Sequence, residues 1–150
     1  MTYVLFNYFE TPDEATLFAI ASFFCSSEIE ISKAGKNDPP KQFNGNADEL
    51  YTLLNEGEDL TNYTFIESRN LDIQATIEIH NDSRWEHSTI SMSCSTKELL
   101  EALCRKLNES IVSYLCIVGE SGKGSSQNWS VIYKSEDCPC LLYTSPSPRD

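Results

Sequence analysis

Residues 71–80 alternate without a break: Leu71, Ile73, Ala75, Ile77 and Ile79 fall on one side, and Asp72, Gln74, Thr76, Glu78 and His80 on the other. Successive side chains of a strand point to opposite faces, so this segment has one apolar and one wet face, as in an antiparallel sheet covered on one side. Residues 88–94 repeat the pattern, with Ile90, Met92 and Cys94 inward and Thr89, Ser91 and Ser93 outward. The polar run Asn81-Asp82-Ser83-Arg84 supplies a turn between them, which predicts a hairpin. Residues 63–67 add a third strand through Ser68-Arg69-Asn70, making an antiparallel meander.

The flanking segments read as alternating strands and helices. Residues 3–9 form an aromatic, apolar strand that runs into Glu10-Thr11-Pro12-Asp13-Glu14, a helix start with Thr11 as cap and Pro12 at the first helical position. Leu17, Ile20, Ala21, Phe24 and Cys25 then recur at helical spacing. Residues 28–32 suggest a short half-exposed strand, and residues 33–45, with Gly35, Pro39, Pro40 and Gly45, a surface loop. Asn46-Ala-Asp-Glu49 caps a short helix through Leu50, Leu53 and Leu54 that stops near Gly57. Ser95-Thr-Lys-Glu98 is a capping box ahead of the most amphipathic helix, whose stripe is Leu99, Leu100, Leu103, Cys104, Leu107 and Ile111. Residues 112–118 and Trp129–Lys134 complete the pattern as strands, with Trp129, Val131 and Tyr133 read as core. The expected fold is α+β: one domain, a mostly antiparallel sheet with two or three helices on one face, in the order β-α-β-α-βββ-α-ββ.

The final residues, 140–150, belong to no such pattern. Back-translated, they resemble the transposase adapter ligated to fragments in sequencing libraries, and fusion scars of that kind are set aside before fold reasoning. Residues 1–139 are then expected to be a single globular domain cut short of its natural C-terminus. Of six cysteines, Cys140 falls in the tail, leaving Cys25, Cys94, Cys104, Cys116 and Cys138. An odd, irregularly spaced set without a signal peptide points to the reducing cytoplasm. No stretch approaches the roughly 20 apolar residues that cross a bilayer.

Charge narrows the partners. With 23 acidic against 11 basic residues, the net charge is -12, which argues against nucleic acid and anionic membrane because phosphate binding needs Lys and Arg to displace counterions. A basic protein partner fits better. The acidic run Glu56, Glu58 and Asp59 and the turn around Trp85, with Glu86 and His87 beside it, are candidates for its docking surface, together with Glu78 and His80. Small acidic α+β immunity proteins that neutralise bacterial toxins are similar in size and charge, a likeness of class carried by no motif.

Other motifs fail on chemistry. Gly119-Glu-Ser-Gly-Lys-Gly-Ser125 echoes a phosphate loop but has Ile117 where the first glycine belongs and Gly124 after the lysine. His80, His87, Asp82 and Glu86 match no standard metal spacing. Cys94, Cys104 and Cys116 sit in apolar settings that suit buried thiols rather than nucleophiles. No cofactor or metal is expected. The alternative to a binding protein is a small enzyme or enzyme subunit working on the polar sheet face through Glu78, His80, Thr89 and Ser91, with a pocket converging on His80 or His87.

Overall fold

The computed structural model of the chain describes residues 2–10, 13–56, 61–69, 72–81, 87–121 and 129–136. Among them the order is β1 (Thr2–Phe9), α1 (Glu14–Phe24), β2 (Ile31–Gly35), β3 (Lys41–Gln42), α2 (Ala47–Asn55), β4 (Thr61–Ser68), β5 (Gln74–His80), β6 (Ser88–Cys94), α3 (Lys97–Asn108), β7 (Ser113–Ser121) and β8 (Trp129–Lys134). The strands form one sheet in the order β3-β2-β4-β5-β6-β1-β7-β8, antiparallel throughout. The expected α+β fold and its element order are present, and β4-β5-β6 is the meander read from the alternation. β3 is an addition: two residues of the expected loop pair with β2.

Local chemistry explains the element ends. At α1 the Asp13 carboxylate accepts the Thr16 amide at 2.8 Å, so Asp13 rather than Thr11 is the N-cap. Those hydrogen bonds hold its carboxyl below the usual range; Thr11 and Pro12 lie outside the described residues. α2 has a complete capping box, with Asn46 Oδ1 accepting the Glu49 amide at 3.0 Å and Glu49 Oε1 accepting the Asn46 amide at 2.9 Å. The Ser95–Glu98 box does not form: Thr96 is the N-cap of α3 and makes no side-chain cap bond. Burial of Leu100, Leu103, Cys104 and Leu107 holds this helix in place of the cap. Nor does a strand begin at Glu28. Ile29 is fully buried from within a turn, Glu30 takes φ 52° to leave it, and pairing starts at Ile31.

One core fills the space between the helices and the sheet. Ile20 and Phe24 of α1, Leu50 and Leu54 of α2, and Leu100 and Leu107 of α3 meet Leu5, Ile66, Ile77 and Ile90 of the strands. Each such side chain, taken from water, contributes about 1.5–3 kcal/mol. Two polar features lie inside. Asn7 on β1, between β6 and β7, is 0% exposed; its Nδ2 donates to Asn108 Oδ1 at 3.0 Å, and Ser113 Oγ donates to Asn7 Oδ1 at 2.9 Å. Beside them a disulfide links Cys104 of α3 to Cys116 of β7, so these two cysteines are buried as expected but paired. Among the described residues no helix is long and apolar enough to cross a membrane.

Candidate functional site

Because the three helices of the described residues pack on one side, the strand alternation leaves a second face that carries no helix among those residues. Register fixes its rows. In one, Phe65, Thr76, Ser91, Phe6, Ile117 and Val131 stand side by side from β4 to β8; in the next, Tyr63, Glu78, Thr89, Tyr8 and Leu115. The face therefore changes character across its width, polar at its centre and aromatic toward both sides.

On the β1-β7-β8 side a small second cluster forms. Leu115 and Ile117 are buried beneath Phe6, Tyr8, Tyr114 and Trp129. The Trp129 ring lies against Gly119, its cross-strand partner, and sits 5.8 Å from the Phe6 ring. A Cβ on Gly119 would fall 2.6 Å from Trp129 Cε3, so only glycine lets the indole lie down there. Gly119→Ala is expected to displace it: in a Trp85→Phe background the emission shifts to the red, and chemical denaturation shows a loss of about 1–3 kcal/mol. Unchanged emission would show that the indole does not rest there. Trp129 thus belongs to this outer cluster and not to the main core. Val131 and Tyr133, read as core from the same alternation, are 57% and 40% exposed: β8 is the outermost described strand on its side, Val131 stands in the row of Ile117 on the outer face, and it is Ile132 that packs against the main core.

On the polar part of the sheet, at the end of β5, three side chains form a chain of hydrogen bonds. His80 Nε2 lies 2.8 Å from Glu78 Oε2, and His80 Nδ1 lies 3.1 Å from Thr61 Oγ1. A carboxylate only accepts, so Nε2 carries the proton toward Glu78; in the neutral ring Nδ1 then accepts from the Thr61 hydroxyl. His80 was expected on the wet face, yet it is 7% exposed. It lies at the end of β5 between Thr61 of β4 and Ser88, whose Oγ accepts the His80 amide at 3.1 Å. The imidazole is thereby a fixed post that orients Glu78. Tyr8 lies nearby, with the His87 ring edge-on to it at 5.4 Å. Burial, and then the charge of Glu78, push the Tyr8 phenol above its ordinary pKa.

Of the residues expected to form a surface, Glu78, His80, His87, Thr89 and Ser91 come together here. Glu56 stands apart at the C-cap of α2; burial pushes the Lys36 ammonium below its ordinary pKa, and the charge of Glu56 opposes that shift. Glu58, Asp59, Trp85 and Glu86, with Asp82 of the rejected metal set, lie outside the described residues, as do Cys138 and the tail 140–150. Residues 119–121 of the rejected phosphate loop are strand β7. Sequence reasoning missed Thr61, Tyr8, Tyr63 and Phe6. The alternation of Val4, Phe6 and Tyr8 against Leu5, Asn7 and Phe9 was the signal for the aromatic pair. The thiols outside the disulfide are not activated: burial pushes both Cys25 and Cys94 up.

Clefts bounded by described residues include two that do not touch His80 or His87. One of about 580 Å³ lies between the end of α1 and the start of α2, lined by Cys25, Ser26, Phe43, Asn46 and Arg69 among others; one of about 90 Å³ is lined by Pro40, Phe65 and Thr76 among others. The molecule is thus an antiparallel α+β sheet protein with one helix-clad and one helix-free face. Comparisons with family models, curated proteins and solved structures found no match.

Proposed function

We propose that the chain is a small acidic, non-enzymatic binding protein whose helix-free sheet face docks a basic protein partner. The observation that carries this reading is the juxtaposition, on one face, of half-exposed aromatic rings and a carboxylate held in place by a nearly buried imidazole. Aromatic anchors supply contact area at low conformational cost, and a pre-oriented charge supplies specificity and steering. The net charge of -12 favours a cationic partner at long range and disfavours nucleic acid. The cytoplasmic setting stays part of this proposal, and the Cys104–Cys116 disulfide is the observation that counts against it.

Selection of random displayed peptides on the immobilised chain is expected to enrich basic sequences whose binding weakens as salt rises. On titration they should shift the backbone amides of β1, β5 and β6, and Glu78→Lys should weaken them by roughly tenfold or more, about 1.4 kcal/mol or above. Enrichment of neutral or acidic sequences, or shifts confined to the helices, would overturn the reading.

A second reading, a small enzyme or enzyme subunit on the same face, draws on the Thr61–His80–Glu78 chain, whose hydroxyl–imidazole–carboxylate order is that of an activated nucleophile. It requires a substrate pocket at that chain.

A further inference from the structure

Resting on the docking reading and sharpening it, we infer that the basic partner presents an arginine side chain, received on Glu78 between Tyr63 and Tyr8. Register places these three residues in one row: Tyr63 is the direct cross-strand partner of Glu78, Glu78 of Thr89, and Thr89 of Tyr8. Directly opposed side chains on one sheet face stand about 4.5–5.5 Å apart at Cβ, so Tyr63 is beside the carboxylate. Tyr8 lies two strands away with only the small Thr89 between. The row sets an anion between two aromatic residues, an open trough in the sense that only the small Thr89 stands between Glu78 and Tyr8.

The far wall is aromatic. Tyr63 stacks on Phe65 with ring centroids 6.4 Å apart and planes 16° apart, and Tyr63 is 44% exposed. Glu78 stays reachable, with 34% of its side chain exposed, although His80 holds its Oε2. Lys33, the basic residue that pairs on this part of the sheet, goes to Glu67 at 3.8 Å. Among the described residues the ion-pair partner of Glu78 is His80, so no lysine or arginine of the chain's own described part fills the trough.

These features favour guanidinium over ammonium. A planar, weakly hydrated guanidinium lies flat on aromatic faces while its edge donates to a carboxylate, whereas a compact ammonium keeps its water unless it is enclosed. An open trough with an aromatic wall does not enclose.

The test uses two acetylated, amidated pentapeptides of equal charge, penta-arginine and penta-lysine, titrated into the isotope-labelled full chain. Penta-arginine is expected to bind roughly three- to tenfold tighter, shifting the Glu78, Thr89 and Tyr8 amides and the Tyr63 ring signals. Glu78→Gln, which keeps an oxygen for His80, and Tyr63→Leu, at an exposed position, should each remove that preference while leaving the amide spectrum otherwise folded. Equal affinity of the two peptides on this face, or a preference that survives Glu78→Gln, would overturn the arginine site while leaving the docking reading in place. Failure of both peptides to shift this face would overturn the docking reading as well.

Discussion

Asn7→Asp is expected to leave the domain folded in mild acid and to unfold it near neutrality. Asn7 sits on an interior strand with no exposed surface, held by Asn108 and Ser113. A carboxyl there can accept from Ser113 while it is neutral, but its charged form would be cut off from water. Burial raises a carboxyl pKa, by up to about 3–5 units in fully buried sites. The sign follows from linkage. A group whose folded pKa lies above its unfolded value of about 3.9 leaves stability intact below that value, and the loss grows as pH rises toward the folded pKa. At about 1.36 kcal/mol per unit, the penalty above the folded pKa reaches roughly 4–7 kcal/mol, which rivals the whole stability of a typical domain, about 5–15 kcal/mol. Urea unfolding of variant and parent at each pH from about 4 to 8 separates this effect from the titration of native carboxylates. Asn7→Leu, which removes the hydrogen bonds without adding charge, should cost about 1–3 kcal/mol at every pH. Parallel curves for Asn7→Asp and its parent would mean that the site is wet, contrary to its place under α3.

The same residue shows why parts of the fold were hidden in the sequence. Asn7 falls on the core side of its strand, between Leu5 and Phe9, and only partners 101 and 106 residues away satisfy it. No local pattern announces them. The alternation of β5 and β6 was legible because period two is a property of the strand itself. By contrast, the placement of β1 between β6 and β7 is set by the whole sheet. That placement brings Tyr8 into the row of Glu78, so the carboxylate and its histidines could be read from sequence while the aromatic wall could not. Near Glu28, Ile29 and Ile31 imitate strand alternation, but Glu30 in the left-handed region turns the chain between them. At α3, adjacent Ser95 and Thr96 offered two hydroxyl caps, and packing of the leucine stripe chose a start that uses neither side chain.

Ile77 and Glu78 are neighbours on β5, and the two-faced sheet gives them opposite consequences. Ile77 is fully buried on the helix side, in the same core as Ile20 and Leu100. Ile77→Ala removes that contact area and leaves a cavity that the close-packed interior only partly closes, for an expected loss of about 2–5 kcal/mol. Since the side chain points away from the docking face, basic-peptide affinity measured well below the unfolding midpoint should stay within about twofold, a difference near 0.4 kcal/mol. Glu78→Ala should do the reverse. Its partly exposed pair with His80 contributes on the order of 1 kcal/mol or less, while peptide binding falls with the lost anion. Denaturation and titration of the two variants side by side form a crossed test, with stability lost in one and binding in the other. If Glu78→Ala proves as destabilising as Ile77→Ala, Glu78 is a structural carboxylate and the helix-free face loses its recognition element; if Ile77→Ala alone weakens binding in the folded state, the partner reaches the helix side. A crossed result would tie the alternation at residues 73–80 both to the core that folds the chain and to the face that meets its partner.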